Sequence, residues 1–191
     1  MHGSTFAIDL PQTPAGGQTA RRRLELVLDR GRTYRLIAAP AGRRQAILSE
    51  LEACGLAAVV PSSGRLIANL KVWENIVLPL AYRGTPSMPE LEACASALFA
   101  EFGYCGESGR ALASRLPDGL SLFERRLVAF VRALLAAPEV LVLDAVAQGL
   151  ARAEAASALA FSAAFLRHFP FRTAVHIEPE RPEAGGDWIE V

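Results

Sequence analysis

The stretch that decides the fold runs from residue 120 to residue 150 and reads LSLFERRLVAFVRALLAAPEVLVLDAVAQGL. Ser121, followed three residues later by Glu124, has the pattern of a capping box that starts a helix, and apolar residues recur at helical spacing up to residue 137. Pro138 ends that helix, and residues 139–143 form an apolar run with the length of a buried strand, which ends at Asp144. A strong helix that leads directly into a buried strand indicates an α/β protein with a parallel core sheet.

The segments on both sides of this stretch extend the same pattern. We predict strands over 5–10, 24–28, 33–39, 56–60, 173–177 and 187–191, and helices over 42–54, 72–82, 89–102, 107–116 and 151–168. Residues 11–18 are rich in turn-forming residues and predict a loop or hairpin connection. The order predicts an antiparallel β part, then βαβ units with a helical insertion at about 85–130. Because no linker divides the chain, we expect one domain over residues 1–191.

Composition excludes several classes of function. The formal net charge is zero, which argues against nucleic-acid binding by bulk electrostatics. No apolar run approaches the length of a membrane-spanning helix, and the N-terminus lacks the pattern of a signal peptide. The three cysteines are spaced in no zinc-binding pattern, so we expect no metal site. These observations favour a cytoplasmic protein.

Three further segments, together with residues 120–150, carry a resemblance to a known family. They are LVLDRG at 26–31, LIAAPAGRRQAIL at 36–48 and NLKVWENIVLPL at 69–80. In order and spacing they resemble the ATP-binding subunits of ABC transporters, most of all the type linked to lipid transport and solvent tolerance. The resemblance implies a P-loop NTPase-like fold, with a mixed sheet around a parallel core. It also implies ATP with Mg²⁺ as cofactor, and a partner that is a membrane permease or another ATP-binding subunit, possibly in a dimer. The location would be cytoplasmic and peripheral to the inner membrane, through the partner.

The segment that matches the family's phosphate loop departs from it. Such a loop needs glycines for close backbone contact, a lysine for the outer phosphates and a Ser/Thr hydroxyl for Mg²⁺. Gly42 remains, but Arg43 and Arg44 replace small residues, Gln45 stands at the lysine position and Ala46 at the hydroxyl position. The chain's single lysine lies elsewhere, at residue 71. A plain strand-to-helix turn with solvated arginines is the favoured interpretation.

The other motifs implied by the resemblance are altered as well. Asp144 remains as the Walker B aspartate, but Ala145 takes the position of the general base. The Q-loop glutamine aligns with Ser62. His176 lies near the position of the switch histidine, although a partly buried histidine with satisfied hydrogen bonds is the favoured interpretation. Of the signature motif, Leu120 and Ser121 remain in the sequence LSLFE at 120–124, and the three residues after them differ.

These departures predict a pseudo-ATPase with no catalytic residues and no bound cofactor, or ATP and Mg²⁺ if any nucleotide binding survives. It would be a structural or regulatory component of a membrane transport complex. We expect docking residues at Leu66, Trp73, Leu78, Leu80 and Tyr82, since so many large apolar groups on one short helix favour an exposed patch. The alternative is that they complete the core. An active or ATP-sensing ATPase with an unorthodox site, and a stand-alone α/β interaction module, are the competing hypotheses for function.

Overall fold

A five-stranded parallel sheet and a separate antiparallel ribbon make up the β structure. The computed structural model describes residues 4–11, 21–39, 41–81, 87–182 and 187–191. In chain order the strands are β1 (Ser4–Pro11), β2 (Arg21–Leu28), β3 (Thr33–Ile37), β4 (Ala57–Val60), β5 (Val140–Asp144), β6 (Thr173–Glu178) and β7 (Ile189–Glu190).

The strand pairing confirms the predicted combination of an antiparallel part with a parallel core. Strands β1 and β2 form the ribbon, with Ser4 opposite Leu28, while the parallel sheet has the order β4-β5-β6-β3-β7. The predicted connection over 11–18 lies, beyond Pro11, outside the described residues. Strand β5 pairs with β4 and β6, and β6 also pairs with β3, so the centre of the sheet is assembled from distant parts of the chain.

The helices follow the predicted order with shifted ends. They are α1 (Ala41–Ala53), α2 (Val72–Ala81), α3 (Met88–Glu101), α4 (Glu107–Ser114), α5 (Leu122–Leu135), α6 (Arg152–Leu159) and α7 (Phe161–His168). The single helix predicted over 151–168 is wrong: the chain breaks at Ala160, which ends α6 and precedes α7. No described helix has the length and apolar character needed to cross a membrane.

Helices cover both faces of the sheet, which explains why β5 is buried at every position. Leu141 and Leu143 point toward the cluster that contains the apolar residues of α5 and α7. Val140 and Val142 point the other way, into a cluster shared with α1, β2 and β3. This alternation is expected for a strand with a packed layer on each side. The sheet therefore holds the ends of its strands in a fixed frame.

Helix α5 is the best-specified helix of the chain, as its sequence predicts. The Ser121 hydroxyl accepts a hydrogen bond from the Glu124 amide, and the Glu124 carboxylate accepts one from the Ser121 amide, at 3.1 and 2.7 Å. This confirms the capping box. The helix ends at Leu135, two residues before the predicted end, and its buried face includes Phe130, which stacks on Phe161 of α7 at a centroid distance of 4.4 Å.

Candidate functional site

The candidate site lies at the carboxyl edge of the parallel sheet. Because β5, β6 and β3 are neighbours, the segments that follow them meet at this edge. Asp144 ends β5, Glu178 ends β6, and the start of α1 follows β3. The positions that the sequence assigns to the phosphate loop and to the Walker B aspartate are thus brought together by the fold.

The side chains of the phosphate-loop segment are engaged within the protein. Arg43 donates from Nη1 to the carbonyl oxygen of Val191 at 2.6 Å. Gln45 donates to the Ser49 hydroxyl one helical turn away, at 3.4 Å. A Cβ added at Gly42 would meet no atom within 4 Å, so no close approach requires glycine there. Residues 41–46 therefore form the first turns of an ordinary helix.

Asp144, at the predicted Walker B position, pairs with Arg44 of the predicted phosphate-loop segment. Arg44 Nε lies 3.5 Å from Asp144 Oδ1. Burial raises the pKa of the Asp144 carboxyl, while the Arg44 charge and a backbone hydrogen bond from Ser62 act in the opposite direction. The structure thus joins Arg44, Ser62 and Asp144, three residues that the sequence placed in different motifs.

These residues do not fit Mg-ATP. The metal would need a Ser/Thr hydroxyl and an unengaged carboxylate, and the phosphates would need a lysine. Here a guanidinium already faces the carboxylate, and Ala46 supplies no hydroxyl. Ala145, at the general-base position, has φ +49° and donates its backbone N–H to the Ile177 carbonyl. Within the described ranges, no three side chains of metal-ligand type form a cluster.

Some hydrogen-bonding capacity is left over at this edge. Arg43 Nε, Arg44 Nη1 and Asp144 Oδ1 are buried and make no hydrogen bond. Buried polar atoms are nearly always paired with protein or water. The two guanidinium groups could therefore still donate to water or to a small acceptor at the start of α1.

His176 is not brought to this edge. It lies within β6, one register step before the pair of Asp144 with Ile177. Its Nε2 is 2.9 Å from the Ser162 hydroxyl, which itself donates to the Leu159 carbonyl, so His176 is the donor through Nε2. Burial lowers the pKa of His176 to about 3. The structure thus shows a fully buried histidine that is hydrogen-bonded through Nε2, as the favoured interpretation expected, but its buried Nδ1 makes no hydrogen bond.

The residue that does reach the edge from β6 is Glu178, which sequence reasoning missed. Its side chain is only 2% exposed and accepts a hydrogen bond from the Ala147 amide at 3.1 Å. Burial raises the pKa of Glu178 to about 7, an effect that nearby Arg126 partly offsets. The available signal was an acidic residue at the end of an apolar strand, at the same edge as Asp144.

Arg126 joins three parts of the site. This buried residue of α5 donates to the Ser62 carbonyl at 2.6 Å and to the Val146 carbonyl at 2.8 Å. Burial lowers the pKa of Arg126, whereas the nearby charges of Glu178 and Asp144 act to raise it. Arg126 thus fastens α5 to the segments that follow β4 and β5.

The remnant of the signature motif is used in the helix start. Ser121 and Glu124 form the capping box, and the Glu124 carboxylate also pairs with Arg115 at 2.9 Å. The Tyr104 hydroxyl donates to the same carboxylate at 3.3 Å. Phe123 is buried in the main core. Every one of these groups therefore has a structural role within the chain.

The expected docking residues divide into different environments. Leu80 is only 1% exposed and belongs to the core, which corrects the expectation that it lines an exposed patch. Leu66 and Trp73 are partly buried against the main core, and Leu78 is also partly exposed. Tyr82 lies outside the described residues.

Two exposed apolar side chains near this region were missed. Ile67 is 44% exposed and Leu116 is 50% exposed. The segments that carry them meet where the Val72 amide bonds to the Arg115 carbonyl. Neither residue follows a helical period, so their exposure could not be predicted from the sequence.

Comparison by sequence finds no protein-family model that matches the chain, and no curated protein that matches it. Comparison by structure gives close neighbours. CbiO1 from Clostridium perfringens, part of the ABC transporter complex CbiONQ, has a TM-score of 0.72 at 12% identity, over 94% of this chain and 80% of its own. The ATP-binding cassette MJ0796, in a dimeric post-hydrolysis state with ADP and Pi, has a TM-score of 0.68 at 18% identity, over 93% and 88%.

A third structure, an ATP-binding subunit of an ABC transporter, has a TM-score of 0.68 at 20% identity, over 91% of this chain and 79% of its own. All three likenesses extend over nearly the whole of this chain. The chain therefore has the fold of the ATP-binding subunits of ABC transporters.

Proposed function

We propose that this chain is a degenerate ABC-type ATP-binding subunit, a pseudo-ATPase that serves a membrane transport complex as a structural or regulatory component. The observation that carries the proposal is the pairing of Asp144 with Arg44, at 3.5 Å. A cation of the chain itself faces the carboxylate that would help to hold Mg²⁺, and the phosphate-loop segment contains neither lysine nor hydroxyl. The chain would form a single domain over 1–191, with its helical part at about 85–130.

Partners follow from what the structural neighbours are. CbiO1 is part of a transporter complex, and MJ0796 forms a dimer. By analogy, this chain would bind a membrane permease, another ATP-binding subunit or both, on the cytoplasmic side of the inner membrane. The segment at 69–80 supports a transporter of the lipid-transport type.

The surface proposed for docking comprises Leu66, Ile67, Trp73, Leu78 and Leu116. The first two lie on the segment after β4, the next two on α2, and the last in the turn before α5. Exposed apolar groups beside a partly exposed tryptophan are typical of an interface centre. This surface lies on segments fastened by Asn75, which bonds to the backbone of Ile67 through both ends of its amide.

Absence of ATP hydrolysis is the first test. Purified protein with Mg-ATP should release phosphate no faster than buffer, since the lysine, the hydroxyl and the general base are missing together. The matched variant is Asp144→Asn, which should leave that background unchanged. ATP turnover near 1 s⁻¹, which is on the order of the kcat of ordinary enzymes, would overturn the proposal if Asp144→Asn abolished it.

Docking is tested with charged substitutions. Ile67→Glu and Leu116→Glu should reduce recovery of the protein with native membranes, while the melting temperature stays within about 2 °C because both side chains are exposed. Val27→Glu is the matched control, because Val27 is 51% exposed on β2, outside the proposed surface. Equal loss of recovery for all three variants would place docking elsewhere.

The unpaired nitrogens of Arg43 and Arg44 favour one second candidate, a subunit that senses ATP without hydrolysing it. Phosphate oxygens could accept hydrogen bonds from these atoms. A saturable, Mg²⁺-dependent rise in melting temperature with millimolar ATP, lost on Arg44→Ala, would support this candidate. The stand-alone interaction module remains the third hypothesis, and purification as a monomer with no membrane partner would support it.

A further inference from the structure

A polar cavity opens beside α1. Its volume is about 440 Å³, and its walls come from α1, β4, the segment after β4 and the end of α5. Its polar lining comprises Gln45, Glu52, Arg65, Arg132 and Asp144. The cavity shares Gln45 and Asp144 with the candidate site, but Arg43 and Arg44 do not line it.

Two arginines converge on this cavity without forming an ion pair, although Arg65 lies near enough to Asp144 for its charge to lower the pKa of that carboxyl. Arg132, in the last turn of α5, donates from Nη2 to the backbone carbonyl of Arg65 at 3.1 Å. Within the part of the chain that the structure describes, neither guanidinium lies within 4.0 Å of a carboxylate. Burial lowers the pKa of Arg132, and the like charge of Arg65 lowers it further. Two cations are thus held together beside an open space.

The backbone of Arg65 is constrained into this position. Its φ is +26°, which is uncommon for a residue with a side chain. The preceding Gly64 also has positive φ, and its Cα lies so close to α5 that an added Cβ would be 2.7 Å from the backbone of Arg125. Strained backbone of this kind tends to occur at functional sites.

The acidic residues of the cavity leave the arginine pair positive. Asp144 is paired with Arg44, which lies on the α1 side. Glu52 is exposed and sits two turns farther along α1 than Gln45. Guanidinium groups bind planar or tetrahedral oxyanions through paired N–H donors, and two of them together favour a dianion over a monoanion.

We propose that Arg65 and Arg132 form a binding site for the phosphate group of a small ligand. Gln45 stands on the opposite wall and can donate an additional hydrogen bond to a ligand oxygen. Arg65 and Arg132 lie outside the phosphate-loop segment, so the site that they form goes beyond the proposed pseudo-ATPase function and does not depend on it. A pseudo-ATPase with such a site would respond to a phosphorylated ligand without hydrolysing it.

Inorganic phosphate titrated into the full chain, by calorimetry at constant ionic strength in chloride, tests the proposal. Saturable binding is expected, with the dissociation constant raised about tenfold or more by Arg65→Asn, because a charge-assisted contact is lost. Asparagine tolerates positive φ, so this variant should fold. Arg132→Lys should also weaken binding, because lysine keeps the positive charge but lacks the paired N–H donors of the guanidinium. Arg110→Gln, an exposed arginine outside this cavity, is the matched control.

Several outcomes would overturn the proposal. They are an absence of saturable binding, equal weakening in the control variant, and binding that survives Arg65→Asn but is lost on Arg44→Ala. The last would place the phosphate at the start of α1. ATP and phosphoethanolamine, tested against the same variants, identify the source of the phosphate group: a preference for either one that depends on Arg65 supports the site and names a nucleotide or a lipid head group as the ligand.

Discussion

Two buried titratable residues of β6 should influence stability in opposite directions as pH changes. His176 and Glu178 lie on the same face of that strand, two residues apart. Burial lowers the pKa of His176 from 6.5 to about 3 and raises the pKa of Glu178 from 4.5 to about 7. Both shifts mean that the folded protein disfavours the charged form of the group.

The direction of each effect follows from proton binding. Between pH 4.5 and about 7, the folded state keeps the Glu178 proton that the unfolded chain has lost, so stability falls as pH rises. Between about pH 3 and 6.5, the unfolded chain carries a proton on His176 that the folded state lacks, so stability falls as pH drops. Each of these two titrations changes the free energy of unfolding by about 2 kcal/mol between pH ~5 and pH ~7.

The two effects should therefore nearly cancel in the native chain over that interval. Glu178→Gln removes one of them, and the free energy of unfolding should then increase by about 2 kcal/mol, relative to the native chain, from pH ~5 to pH ~7. His176→Gln should give the opposite change of similar size. The amide in each variant has nearly the volume of the group it replaces and can keep a hydrogen bond to Ala147 or Ser162.

Urea denaturation at a series of pH values measures these changes. Each variant is compared with the native chain at the same pH, which removes the contributions of other titrating groups such as Asp144 and Glu101. Parallel curves for Glu178→Gln and the native chain would refute the reasoning. They would mean that Glu178 titrates alike in the folded and unfolded states.

Three further changes test the parts that fasten the site. Gly64→Ala should lower the free energy of unfolding by about 2–4 kcal/mol, because alanine is strained at positive φ and its Cβ would clash with α5. Gly55→Ala is the control: Gly55 has φ +70° but open space around it, so this variant should lose only about 1 kcal/mol. Equal losses for the two variants in urea denaturation would contradict the close approach of Gly64 to α5. Asn75→Ala should lower the free energy of unfolding by about 2–3 kcal/mol and speed hydrogen exchange of the Ile67 amide, because several backbone groups lose their hydrogen-bond partner. An unchanged exchange rate at Ile67 would contradict the role of Asn75 in holding this segment. Ser121→Ala should cost about 1 kcal/mol by removing the cap of α5, and an unchanged unfolding midpoint would count against it.

The elements that the sequence predicts best are those with several agreeing local signals. Helix α5 and strand β5 combine a capping box, helical spacing, Pro138 and an apolar run, and both form as predicted within two residues. The break at Ala160 has no such signal, because the surrounding residues are good helix formers and no glycine or proline marks it. Tertiary packing, which local propensity does not encode, places the break there.

In the candidate site, too, the features with local sequence signals were predictable and those that depend on tertiary structure were not. Asp144 and the altered phosphate-loop segment are visible in sequence because each follows a strand. Their pairing through Arg44 joins residues 100 positions apart, and it depends on the strand order, which the sequence does not reveal. Glu178 was missed because His176 was the residue of β6 near a family motif position. An acidic residue at the end of a strand is also ordinary as long as its burial is unknown.

The strand order has a consequence for biosynthesis. Among the described strands, β3 pairs with β6 and β7, which emerge from the ribosome about 140 residues later. At a synthesis rate of roughly 5–20 residues per second, β3 waits on the order of 7–30 s with its backbone unpaired. The nascent chain thus exposes apolar strand edges over that interval, which favours aggregation. We expect its yield in cells to depend on chaperones more than its folded stability alone would indicate.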